Sequence, residues 1–125
     1  MNIHDLLNEL KGMMLPHDEY IVCGSAPLAI IGLREAHDLD VVVSEQLYVD
    51  MMKYVQWINS HGGLVVGNIE FYSFGNDELM DRMSDATLYM NMNMASLRTT
   101  MEWKHKVNRD KDKEDIRLIL EYLSR

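Results

Sequence analysis

Three short stretches of this chain carry residue types that could do metal and phosphate chemistry. The first is Asp38-Leu39-Asp40. In an extended strand residues two apart share a face, so both carboxylates point one way and Leu39 the other. Like charges side by side raise each other's pKa, and a hard divalent cation such as Mg²⁺ reverses that cost. The same short pattern also fits two solvated acids on a half-exposed strand. The second stretch is Gly24-Ser25, with twelve residues between it and Asp38. A glycine lets a ligand approach the backbone closely, and a helix N-terminus offers unpaired N–H groups to phosphate. Ser25 fits a plain N-cap equally well. The third is Glu70, within Asn68-Ile69-Glu70-Phe71-Tyr72 and facing away from Ile69 and Phe71. A carboxylate in such a strand is costly unless it is paired, metal-bound or on a wet edge.

The elements that must position these residues follow from periodicity. Ile3, Leu6, Leu7, Leu10 and Met14 predict an opening amphipathic helix closed near Gly12 and Pro16. Tyr20–Cys23 reads as a buried strand that stops at Gly24, and 26–33 as a compact helix. Asp38–Val43 is a strand, followed by a helix over 45–60 capped by Ser44 with Leu47, Met51, Val55 and Ile58 as its stripe. Leu64–Val66 and Ile69–Phe74 are two strands around Gly67-Asn68. Asp77–Met83 is a short helix. Leu88–Met94 alternates as one strand with Leu88, Met90, Met92 and Met94 on one face, and helices near 96–108 and 112–124 close the chain. The expected fold is α/β (α+β), a mixed sheet flanked by helices, in one domain over residues 1–125.

In order and spacing these residues resemble the DNA polymerase β-like nucleotidyltransferase superfamily. Ile21-Val22-Cys23-Gly24-Ser25, then Gly32-Leu33-Arg34-Glu35-Ala36-His37-Asp38-Leu39-Asp40-Val41-Val42-Val43, is similar to its small single-domain bacterial members. Lys104 followed by Arg109-Asp110-Lys111-Asp112-Lys113-Glu114-Asp115 resembles their ending, and the likeness spans roughly residues 18–122. The resemblance implies a nucleotidyltransferase-like fold and transfer of a nucleoside monophosphate from an NTP to an acceptor, with release of pyrophosphate. It implies Asp38, Asp40 and Glu70 as catalytic ligands of two Mg²⁺ ions, with Mn²⁺ as a substitute, and Gly24 and Ser25 on the β- and γ-phosphates. Arg34 and Lys104 are further nucleotide-binding candidates. Each has a simpler role open to it: Arg34 could offset Glu35 and Asp38, and Lys104 could pair with an acid. The chain departs from the family pattern in two places. Its third acid is Glu rather than the commoner Asp, and Ala26-Pro27-Leu28-Ala29 replaces the Arg-X-X-Gly run of the antitoxin-like enzymes.

Composition limits the alternatives. The 125 residues carry a formal charge of −8. Residues 1–97 hold 4 basic and 14 acidic side chains, and residues 98–125 hold 8 and 6. An acidic body disfavours broad nucleic-acid binding, which rests on neutralising phosphates, while the basic end leaves room for one local phosphate contact. A single cysteine, no membrane-length apolar run and no signal-like start predict a cytoplasmic protein with Cys23 in its core. His37 reads as a solvated loop residue, and the eleven methionines mainly as core. With no long second domain, the acceptor (small molecule, RNA or protein) must use residues 75–125 or another subunit. A non-catalytic nucleotide-binding or protein-interaction module, such as half of a toxin–antitoxin-like pair, is the competing function.

Overall fold

Asn2 opens the first helix with a reciprocal cap: its side chain accepts from the Asp5 N–H, and the Asp5 carboxylate accepts from the Asn2 N–H. The computed structural model describes residues 2–125. Helix α1, Ile3–Gly12, buries Leu6, Leu7 and Leu10. Strand β1, Tyr20–Cys23, is buried at every position. A single helical turn, α2 (Ala26–Ala29), follows. It ends where Gly32 turns at φ +78°, with the Leu33 N–H donating to the Leu28 carbonyl and the Gly32 N–H to the Ala29 carbonyl. The helix expected over 26–33 is therefore shorter than its apolar run.

Strand β2, Leu39–Val43, leads into α3, Glu45–Met52, capped by the Ser44 hydroxyl. Three strands come next: β3 (Trp57–Ile58), β4 (Leu64–Val66) and β5 (Ile69–Tyr72). Then α4 (Asn76–Met83), the strands β6 (Thr87–Tyr89) and β7 (Met92–Met94), α5 (Leu97–Val107) and α6 (Asp110–Leu123) complete the chain. The seven strands form one sheet in the order β3-β4-β5-β2-β1-β7-β6. β1 pairs antiparallel with β2, whereas β2–β5 and β1–β7 are parallel. This is the mixed, helix-flanked sheet that the sequence predicts.

Alternation divides the sheet into two faces. Leu39, Val41, Val43, Ile69 and Phe71 join Val22 and the buried leucines of α1 in the main core. Ile21, Cys23 and Val42 point the other way, against Leu79 of α4 and Ala95. The central strands are thus covered on both sides, and a polar residue between them meets others of its own face. Among the described residues no helix is long and apolar enough to cross a membrane.

Three sequence expectations are corrected. The strand begins at Leu39, so Asp38 sits in the preceding bend and is exposed. The 45–60 helix stops at Met52: Trp57 and Ile58 pair with Val65 and Leu64 as an edge strand, where both are exposed. Aromatic and β-branched residues suit that pairing, and their apparent helical spacing was incidental. The 88–94 strand is a hairpin, because Met90 and Asn91 have φ +51° and +64° and Tyr89 pairs with Met92. Leu88 is consequently 64% exposed while Met92 and Met94 are buried. Asn91 is exposed, so a substitution there reports the backbone alone. Asn91→Val should lower stability by about 1–2 kcal/mol in urea unfolding, since a β-branched residue resists positive φ, whereas Asn91→Gly should be near neutral. A continuous strand would accept valine at no cost.

Candidate active site

Pairing register builds the site. Asp40 lies opposite Cys23 across the antiparallel β1–β2 ladder and beside Glu70 across the parallel β2–β5 ladder. Directly paired residues share a face, so Cys23, Asp40 and Glu70 form a row across three adjacent strands, spaced by about 4.8 Å. Both acids are half-buried. Burial raises the Asp40 pKa first, the charges of Asp38 and Glu70 add to it, and a hydrogen bond with the Glu70 carboxyl adds again. Lys111 offsets part of this, and the group is pushed up to about 6. Glu70 has a second fixed partner. Tyr72, two residues on and on the same face, donates its hydroxyl to Oε2 of Glu70 at 2.8 Å and accepts from Nδ2 of Asn59 at 2.9 Å. Burial and this bond to Glu70 push the phenol up to about 12.

Gly24 follows directly on β1 at φ +67°, and a Cβ built there would come within 2.5 Å of Oδ2 of Asp40. Only glycine combines that backbone conformation with that closeness, so the chain turns over the acids with its backbone bare. Ser25 stands at the N-cap position of α2 but makes no capping hydrogen bond. A one-turn helix contributes little dipole, and Gly24 packs directly on the Asp40 carboxylate, so the uncommitted Ser25 hydroxyl is what this turn offers a phosphate.

The remaining sequence candidates lie apart from the acid pair. Asp38 acts on Asp40 through its charge, but among the described residues no group of three His, Cys, Asp or Glu side chains is arranged to hold a metal ion. Lys104 is buried, with Nζ 2.8 Å from Asp115 and 3.7 Å from Asp112. Arg34 binds the same Asp115 carboxylate, 2.9 Å from both oxygens, and has neither Glu35 nor Asp38 as its ion-pair partner. Arg34 and His37 border an open hollow of about 400 Å³ between the start of α1 and the loop before β2. Arg109 clasps Asp112 through Nε at 2.7 Å and Nη2 at 3.1 Å. Desolvation would raise Asp112, yet the Arg109 hydrogen bonds and the Lys104 charge outweigh it and hold the group below the ordinary range.

Sequence reading missed Tyr72, which the i, i+2 rule places on the Glu70 face. It also missed Arg82, which nothing local marks as buried. Arg82 is only 3% exposed; its Nη1 donates to Sγ of Cys23 at 3.3 Å and its Nε to Glu78 at 3.1 Å. Its guanidinium lies 4.5 Å from the centre of the Trp103 ring.

No family model matches this chain, and no curated protein sequence matches it significantly. Among solved structures it is similar to a Thermotoga maritima protein described as a putative nucleotidyltransferase. The two share 17% identity at a TM-score of 0.57, covering 98% of this chain and 96% of that one. The likeness extends over the whole fold and is one of fold, which is nucleotidyltransferase-like.

Two stability predictions follow from the geometry. Asp40 holds its proton more tightly folded than unfolded, so its contribution is present below pH ~4 and is lost as pH rises through about 6. Asp40→Asn should therefore raise the metal-free protein's stability at pH 7 by on the order of 2 kcal/mol and leave it unchanged at pH 4, by urea unfolding. Asp115→Ala should cost about 3–5 kcal/mol, because it strips a buried lysine and Arg34 of their common partner.

Proposed function

We propose that this protein is a divalent-cation-dependent nucleotidyltransferase that moves a nucleoside monophosphate from an NTP to an acceptor hydroxyl and releases pyrophosphate. The observation that supports it most is the Asp40–Glu70 pair beneath the bare backbone of Gly24. Half-buried carboxyls in hydrogen-bonding contact, one with a raised pKa, are a donor set that a hard cation relieves of its repulsion. Asp40 and Glu70 would hold Mg²⁺ or Mn²⁺ together with Asp38, whose exposed position in the bend leaves its side chain free to turn inward. A two-cation site of this kind stabilises charge on the attacking and leaving oxygens of an in-line displacement.

The chain's own residues supply the rest. Gly24 puts bare backbone directly against Asp40, where the β- and γ-phosphates would lie, and the Ser25 hydroxyl is free to donate to them. Glu70, oriented by Tyr72, is the group placed to take the proton from the acceptor hydroxyl. Arg109 and Lys111, where α6 begins, bring positive charge to Asp40 and so to the polyphosphate beside it. Positioning of this sort supplies most of the acceleration in phosphoryl-type transfer.

A second reading, a nucleotide-binding module without turnover, draws on two observations. No three-ligand metal cluster is preformed among the described residues, and the Arg34 and Lys104 charges are committed to Asp115. Labelled NTPs with Mg²⁺ or Mn²⁺ separate the two. Turnover predicts pyrophosphate release that Asp40→Asn lowers by on the order of 10³-fold or more. Glu70→Gln should match that loss while NTP affinity stays within about threefold, because the nucleotide-bound cation rests mainly on the two aspartates. Tight NTP binding with no pyrophosphate from any of the four NTPs selects the module, and wild-type turnover in Glu70→Gln overturns the three-carboxylate site.

A further inference from the structure

The hydrogen bond that Tyr72 gives to Glu70 is directed from a turn outside the acid-bearing strands, the one that joins β3 to β4. Asn59 opens that turn. Its Oδ1 accepts from the N–H groups of His61 and Gly63, both at 2.9 Å, and its own N–H donates to the Gly63 carbonyl at 2.9 Å. An amide oxygen engaged by two backbone donors fixes which way round the amide lies, so Nδ2 is the atom that faces Tyr72. An NH₂ group only donates, and a phenol carries a single proton. Because Nδ2 gives a hydrogen to the Tyr72 oxygen at 2.9 Å, the phenol's own proton must go elsewhere, and Oε2 of Glu70 receives it at 2.8 Å. The turn is seated closely on these groups. Gly63 is buried, and a Cβ built there would lie 2.6 Å from Nδ2 of Asn59 and 2.7 Å from the Tyr72 ring. Tyr48 of α3 holds the same turn, donating its hydroxyl to the Gly62 carbonyl at 2.8 Å.

We propose that Asn59 is a positioning residue of the acid site, setting the direction of the Tyr72 hydroxyl so that Glu70 meets a donor at Oε2 and keeps Oε1 for the cation and the acceptor. This rests on the nucleotidyltransferase reading and extends it to a residue that touches neither acid. A donor suits an ionised carboxylate, whereas a phenol turned the other way would present its oxygen lone pairs to Glu70 and repel it. The direction is settled by backbone N–H groups, which cannot reverse their roles, and it passes from them through the amide to the phenol. Glu70 is thus held by a donor before any ligand arrives, and a group held beforehand gives up less freedom on binding.

Asn59→Asp isolates the direction of the bond. It keeps the oxygen that closes the turn and replaces the donor to Tyr72 by a second acceptor, which competes with Glu70 for the phenol's proton. The first readout needs no turnover. With the tyrosines labelled with ¹³C at Cζ, the Tyr72 signal is identified by its absence in Tyr72→Phe. In the metal-free protein Asn59→Asp should move that signal and leave in place the signal of Tyr48, which reports the turn. An unmoved Tyr72 signal overturns the proposal. Movement of Tyr48 as well overturns it in favour of a residue that serves the turn alone. The second readout is pyrophosphate release. Asn59→Asp should lower kcat by on the order of tenfold and hold the KM for NTP within about threefold, since the disturbance reaches Glu70 and spares the nucleotide-bound cation. A double-mutant cycle separates this from the charge that the variant adds. In Tyr72→Phe, which lacks the phenol oxygen, Asn59→Asp should change kcat no further, and losses that simply multiply overturn the proposal. Wild-type protein that releases no pyrophosphate overturns the nucleotidyltransferase reading, while the Tyr72 signal still decides whether Asn59 directs the phenol.

Discussion

Parallel pairing of β2 with β5 brings two carboxyls of like charge into contact, and much of the surrounding structure serves to hold them there. Asp40 and Glu70 would separate if either strand could slip, since a shift of one residue turns a side chain to the opposite face. Slippage is blocked by the other face of the same strands. Leu39, Val41, Ile69 and Phe71 are fully buried against α1, and a slipped register would expose all of them. Hydrophobic burial of each such side chain contributes about 1.5–3 kcal/mol, which exceeds the repulsion of one half-screened acid pair. The site is thus a strained minority within a strand pair whose majority face is apolar.

A second electrostatic feature fixes the other wall. Asp112 and Asp115 are buried on α6, and Lys104 of α5, Arg34 of the loop before β2 and Arg109 at the head of α6 converge on them. Removing so many charges from water gives little net stability over an apolar core of the same shape. Its effect is directional. Carboxylates accept these donors only in one arrangement, so the α5–α6 pair is set at one angle to the Arg34 loop. That angle brings the start of α6 near Asp40, and the Lys111 charge then counts at the acid pair.

The legible part of this architecture was the part governed by local period. Asp40 and Glu70 alternate with fully apolar neighbours, so their common facing follows from the strands alone, and Gly24 follows from the stop after Cys23. Asp38 obeyed the same rule on paper, but β2 does not start until Leu39, and strand starts depend on which partner residues are available to pair. The hairpin at Met90-Asn91 was hidden because methionine is an unusual occupant of positive φ and the Leu, Tyr, Met alternation ran straight across it. Trp57 and Ile58 were assigned to a helix because period alone cannot detect an edge strand two residues long. The ion cluster joins residues 34, 104, 109, 112 and 115, a closure over some eighty positions that no spacing announces.

Those long-range contacts also join the two halves of the site. From Glu70 a row of side chains runs through the Tyr72 hydroxyl to the Tyr72 ring, which stacks on Phe74 with centroids 6.0 Å apart. From Asp40 a second row crosses to Cys23, then to Arg82, whose guanidinium covers Trp103. The two rows close on each other, because Phe74 meets Trp103 at 5.4 Å and the Arg82 guanidinium lies 5.5 Å from the Phe74 ring. Glu70 accepts from the Tyr72 hydroxyl, and the Tyr72 ring stacks on Phe74, which also meets the Arg82 guanidinium. Close-packed rings transmit shifts rather than absorb them, so a displacement at Arg82 and one at Glu70 act on one connected set of side chains.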